Sequence, residues 1–180
     1  KQAKSNVTSL REAIIDKGIP VLATSSTCTF TLRDEYPHVL DVDNSGLREH
    51  IELATRFLWR KLDSGQTLPL GKLPLKVVYH TPCHMEKMGW SLYTLELLRL
   101  IPGLELTVLD SRCCGIAGTY GFKSENYATS QAIGAPLFRQ IEESGADLVV
   151  TDCETCKWQI EMSTSKRCEH PITLLAKALG

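Results

Sequence analysis

The chain has 180 residues, 43% of them apolar and 23% charged, with a formal net charge of -1, so it reads as globular with no basic footprint for a nucleic-acid partner. No apolar run reaches the roughly 18 residues that a spanning helix needs, and no signal peptide opens the chain, so neither a transmembrane segment nor export is expected. The sequence begins KQAKSN without Met, which points to a fragment or processed piece.

The first β-branched run, IPVLATS (19–25), reads as a buried strand. In NSGLREHIELATRFLWRKL (44–62), Leu47, Ile51, Ala54, Leu58 and Leu62 recur at helical spacing and predict an amphipathic helix behind a capping Asn44 or Ser45. The Pro/Gly-rich stretch DSGQTLPLGKLP (63–74) is the best boundary candidate. LKVVYHT (75–81) predicts a second strand, and a helix from about Trp90 to Leu100 ends before Pro102-Gly103. LELTVLD (104–110) is a third strand. A helix from about Ser124 to Ser144 follows, with a break at Pro136 and a stop at Gly145. ADLVVTD (146–152) is a fourth strand, and PITLLAKALG closes the chain as a helix opened by Pro171. Strands alternating with helices imply an α/β fold, a mainly parallel sheet flanked by helices.

An internal repeat is visible. VLATSSTCTFTL (21–32) lines up with LVVTDCETCKWQI (148–160), pairing Thr24 with Thr151, Thr27 with Thr155, Cys28 with Cys156 and Phe30 with Trp158. Ser25 stands where the second copy has Cys153, so the first copy is degenerate.

The seven cysteines are Cys28, Cys83, Cys113, Cys114, Cys153, Cys156 and Cys168. An odd number, in a chain whose elements need no staples, argues for metal binding or redox chemistry over a disulfide framework. Cys83, the pair Cys113-Cys114, and Cys153 with Cys156 each follow a predicted strand, and ligands of an open parallel sheet gather outside the carboxyl ends of its strands. Asp152 is a plausible cap for a helix whose first turn would stabilise thiolates at Cys153 and Cys156. Adjacent Cα atoms lie about 3.8 Å apart, below the usual disulfide range of roughly 4.4 to 6.8 Å, so a permanent Cys113–Cys114 bond is disfavoured. An irregular loop can instead present both sulfurs to neighbouring metal atoms, with Gly115, Gly118 and Gly121 allowing close backbone approach. Five thiolates exceed the four of a tetrahedral zinc site or an ordinary cubane. The residues alone leave three chemistries open: an iron–sulfur site, a structural zinc site using four cysteines, and a thiol–disulfide oxidoreductase using Cys153 and Cys156. His80 and His84 could donate to sulfur, shuttle protons or simply pack. Cys168 reads as an incidental buried thiol. Trp59, Trp90, Trp158, Phe57 and Phe138 read as core and helix-interface residues.

The arrangement Cys83, Cys113-Cys114-Gly115, Cys153-x-x-Cys156 resembles the cysteine-rich CCG domain of the heterodisulfide reductases and their relatives. TSSTCTFTLRDEYP, YHTPCHMEKMGW and GIAGTYGFKSENYATSQAIGAPLF are similar to the branch of that family found in anaerobic glycerol-3-phosphate dehydrogenases. Family members carry two such domains in tandem. The resemblance implies that residues 1–68 are the C-terminal part of a first, degenerate CCG domain plus linker, and 69–180 a complete, Rossmann-like second one. It further implies an electron-transfer subunit rather than a catalytic one. Cys83, Cys113, Cys114, Cys153 and Cys156 would hold a non-cubane [4Fe-4S] cluster, with zinc as the alternative and Cys28 a remnant of the first site. The implied partners are a flavoprotein that oxidises glycerol 3-phosphate, the other members of the complex and, indirectly, membrane quinone. The implied place is peripheral on the cytoplasmic face of the inner membrane, or the cytoplasm.

Overall fold

The computed structural model describes residues 1–110 and 112–180. Its elements, in chain order, are α1 (Gln2–Arg11), β1 (Val21–Ala23), α2 (Ser26–Phe30), α3 (Tyr36–His38), β2 (Ile51–Leu53), α4 (Ala54–Asp63), β3 (Lys76–Tyr79), α5 (Cys83–Met88) and α6 (Ser91–Arg99). They continue with β4 (Glu105–Val108), α7 (Tyr127–Glu143), β5 (Leu148–Val150), α8 (Glu154–Ser163), β6 (Cys168–Glu169) and α9 (Pro171–Leu179).

Two sheets result, both parallel: a pair β1-β2, and four strands in the order β4-β3-β5-β6. Alternation along β3 decides which helices cover which face of the larger sheet. Val77 and Tyr79 point into one core with Leu148, Val150, Leu97, Leu98 and Leu174, where α6 and α9 pack together with Leu58 and Trp59 of α4. Val78 and Val149 point the other way, onto Leu137, Phe138 and Ile141 of α7 and Ile160 of α8. Helices on both faces are why the central strands β3 and β5 read as apolar runs, whereas β4, at the sheet edge, keeps Glu105, Thr107 and Val108 exposed. The chain leaves β3 through α5 and α6 to reach β4 on one side, then passes through α7 to β5 on the other side of β3. That reversal opens a crevice beyond the carboxyl ends of β4, β3 and β5.

Three expectations are corrected. The segment 44–62 is not one helix: Arg48–His50 is a 3-10 turn, Ile51–Leu53 is β2 paired to β1, and helix starts only at Ala54. All three β2 residues are buried, and Glu52 survives there because its carboxylate meets Arg56 (2.8 Å) and Arg60 (3.0 Å) of α4. Asn44 caps nothing; its amide donates to the carbonyls of Leu32 and Arg33. Pro136 does not break α7, which runs through it. Pro136 and Ala132, whose carbonyl loses its helical donor, both face solvent, while Gly134, Leu137, Phe138 and Ile141 stay buried. Finally, Trp158 is 56% exposed, lying near Phe122 rather than in a core, and Trp90 is held between the guanidinium groups of Arg33 and Arg56.

Candidate metal centre

The three loops at the carboxyl ends of β3, β4 and β5 deliver all five predicted thiols to one small cavity. Cys83 opens α5 directly after the β3 loop. Cys113 and Cys114 follow β4 in an irregular loop. Cys153 is the N-cap of α8, with Cys156 in its first turn, so both thiols sit at the positive end of the helix and the Cys156 N–H bonds the Cys153 sulfur. Asp152 does not cap that helix. It is fully buried, accepting hydrogen bonds from Tyr79 Oη (2.6 Å) and Thr94 Oγ1 (3.1 Å), with Thr55 Oγ1 3.5 Å away. Four elements are thereby pinned just beneath the cysteine loop.

The CCG loop is held from behind by α7. Gly115 has φ +88, and a Cβ there would stand 2.0 Å from the carbonyl oxygen of Ser130, so only glycine fits. The Ser130 hydroxyl donates to Gly115 O (2.9 Å) and accepts from Gln159 Nε2 (3.0 Å), linking α7, α8 and the loop. Gly121 similarly lies against Ser130, so these two glycines serve helix packing rather than approach to the cavity. Gly118 does line the cavity, as does Ala117, a non-glycine residue at φ +44.

The sulfurs interact strongly. Cys114 Sγ and Cys156 Sγ are 3.3 Å apart, and Gly115 N–H donates to Cys113 Sγ (3.3 Å). Hydrogen bonding from Cys113, and then from Cys156, holds the Cys114 thiol far below its ordinary range, while the partners Cys113 and Cys156 are pushed up by the same bonds. Cys153 is lowered to about 5, first by Cys156 and then by the hydroxyls of Thr155 (3.2 Å) and Thr27 (3.5 Å). Burial, and then the charges at Cys114 and Cys153, push the Cys83 thiol up. The protein alone therefore supports only part of the set as thiolates, and a cationic group is what would let all five ionise together.

His80 supports the same reading. Its ring is 2% exposed and lines the cavity, and among the described residues neither nitrogen makes a well-formed hydrogen bond, although the ring helps hold the Cys114 thiol low. Leaving a buried ring nitrogen unpaired costs about 1–3 kcal/mol, which a bound group beside it would offset. A nitrogen of His80 and the sulfurs of Cys114 and Cys156 all lie within 4.8 Å of one another. His84 also lines the cavity, with Nδ1 3.1 Å from Thr27 Oγ1 and its ring stacked on Phe30 at 4.7 Å. Burial lowers its pKa, favouring the neutral ring.

Cys28 lies exposed on α2, apart from the cavity lining, and Ser25 is buried where the repeat would place a second thiol. Cys168 is buried in β6, where burial pushes its thiol up to about 12; it is an inert core residue. Sequence reasoning missed Thr27 and Ser130. The pairing of Thr27 with Thr155 in the repeat was the available signal for the first, and nothing marked the second.

Residues 77–161 match the family described as cysteine-rich domain, CCG. Over all 180 residues the chain is 86% identical to the C subunit of anaerobic glycerol-3-phosphate dehydrogenase from Escherichia coli (strain K12), covering 46% of that protein. The chain thus spans about half the length of this relative. It is 33% identical over 166 residues to lactate utilization protein A of Geobacillus thermodenitrificans, covering 85% of this chain and 66% of the relative. It is also 33% identical over 96 residues to an uncharacterized iron-sulfur protein of Methanocaldococcus jannaschii, covering 52% of this chain and 19% of the relative.

Proposed function

We propose, from the premise that residues 77–161 belong to the cysteine-rich CCG family, that this chain is the electron-relaying, iron–sulfur part of an anaerobic glycerol-3-phosphate dehydrogenase. The observation that carries the reading is the convergence of Cys83, Cys113, Cys114, Cys153 and Cys156 on one cavity, beside the buried ring of His80. An iron–sulfur cluster, here a non-cubane [4Fe-4S] one, supplies reversible electron storage when bound. The chain's own residues do the rest. The five thiolates hold the iron, the N-terminal turn of α8 favours their charge, and Thr155 donates to Cys153.

In this reading residues 69–180 form a complete CCG unit and residues 1–68 the end of a degenerate first unit with its linker, of which Cys28 is the remaining thiol. The 86% identity supports the place in the dehydrogenase. A separate flavoprotein oxidises glycerol 3-phosphate, electrons pass through this chain, and membrane quinone receives them at the cytoplasmic face. Among the described residues no helix is long and apolar enough to cross a membrane; in this proposal the chain's membrane contact is at the periphery.

A second reading has one specific support: His80, Cys114 and Cys156 converge closely enough to take a single zinc ion. It leaves Cys83, Cys113 and Cys153 on the same cavity without a use. The relay is tested with the full-length protein reconstituted anaerobically and mixed with its flavoprotein partner. Glycerol 3-phosphate should bleach the visible absorption of the cluster only when the flavoprotein is present, and Cys114→Ser should abolish the change. A cluster that stays oxidised beside the reduced flavoprotein would exclude the relay.

A further inference from the structure

The repeat-equivalent threonines Thr27 and Thr155 approach the same sulfur from the two units: Thr155 Oγ1 lies 3.2 Å and Thr27 Oγ1 3.5 Å from Cys153 Sγ. Thr155 belongs to the helix that Cys153 caps, so its contact is local. Thr27 is 126 residues away in sequence, on α2, and reaches Cys153 only because α2 closes over the cavity. Three further contacts fasten that segment in place. Ser26 N–H donates to Asp152 O (2.8 Å), a ring nitrogen of His170 lies 2.7 Å from Thr24 O, and Phe30 stacks on His84 with the planes 9° apart.

We propose that the degenerate first unit has been kept as a lid on the second unit's site, and that Thr27 is a positioning residue whose hydroxyl donates to Cys153 while accepting from His84. This rests on the iron–sulfur reading above. The chain His84 Nδ1–H to Thr27 Oγ1–H to Cys153 Sγ has a defined direction, because a hydroxyl that donates to a thiolate keeps lone pairs free for the imidazole N–H. It ties α5, which carries Cys83, to Cys153 by way of a residue that neither neighbouring loop supplies. The first unit lost a thiol at Ser25, yet Thr27 retains its repeat position because its hydroxyl works on the other unit's ligand. A hydrogen bond to a ligating sulfur stabilises the more negative, reduced state, so the lid raises the reduction potential as well as excluding water.

The test compares wild type, Thr27→Val and Thr27→Ser in anaerobically reconstituted protein, by iron and sulfide content, electron paramagnetic resonance and potentiometric titration. Thr27→Val keeps the shape and removes the hydroxyl; it should shift the midpoint potential downward and change the resonance line shape, with Thr27→Ser close to wild type. Loss of iron from Thr27→Val alone would also support a hydroxyl that holds Cys153 in place. Identical potential and line shape in Thr27→Val at equal iron content would overturn the proposal, as would equal loss of iron from both variants, which would mark packing alone. Wild type without iron and sulfide would instead remove the reading on which the lid depends, a result distinct from either variant outcome.

Discussion

At the scale of single residues, the cysteines were legible in the sequence because thiols at strand ends have few other uses, whereas their supports were not. Ser130 looks like any helical serine until Gly115 is brought 15 residues back onto it. His80 carries two meanings in the sequence, and its place in the cavity lining, within 4.8 Å of the Cys114 and Cys156 sulfurs, separates a cavity residue from a packed one. Gly115 was expected to give room to a cluster, but its missing Cβ makes room for α7. Gly115→Ala should therefore act through the loop. Forcing an L side chain to φ +88 costs of order 1–3 kcal/mol, and the contact with the Ser130 carbonyl must also be relieved by movement. Urea unfolding should show a loss of more than about 2 kcal/mol, and iron uptake on reconstitution should fall. Wild-type stability and uptake would mean that the loop does not sit against α7 as described.

At the scale of elements, the central strands β3 and β5 could be read because helices cover both faces of the sheet and bury Val77, Val78, Tyr79 and Leu148–Val150. The segment 44–62 could not, because Leu47, Ile51, Ala54 and Leu58 satisfy a helical period by coincidence while tertiary pairing with β1 claims Ile51–Leu53. β6 went unseen since two residues, Cys168 and Glu169, carry no periodicity. Pro136 lies on the solvated face of α7, where a proline costs stability without ending the helix. Pro136→Ala should restore one hydrogen bond and raise stability by about 1–3 kcal/mol, seen as a higher thermal midpoint with unchanged helix content; an unchanged or lower midpoint would count against the continuous helix. Beneath the site, Tyr79 joins β3 to Asp152. Tyr79→Phe should lower stability by about 1–3 kcal/mol, read as a lower urea midpoint. Burial raises the Asp152 carboxyl above its ordinary value, so the folded chain loses stability as pH rises through that raised value. Removing the Tyr79 donor deepens that loss, and the variant's deficit should be larger at neutral pH than below the ordinary carboxylate range. A deficit independent of pH would place the Asp152 charge elsewhere.

At the scale of the whole molecule, the organisation is a doubly wound sheet whose chain reversal at β3 opens a crevice, with five thiols lining it and Thr27 of α2 at its edge. The fold class and the convergence of the thiols followed from strand-end placement. The approach of Thr27 to Cys153 did not, because no sequence pattern says which surface α2 will cover. The central claim is that the five cysteines act together on one iron–sulfur cluster. Iron, zinc and acid-labile sulfide analysis of the anaerobically reconstituted protein, with electron paramagnetic resonance on the same sample, tests it most directly. The account predicts stoichiometric iron and sulfide, a paramagnetic signal in one redox state, and loss of both iron and sulfide in Cys114→Ser. One zinc per chain without sulfide, or a colourless protein without iron, would contradict it.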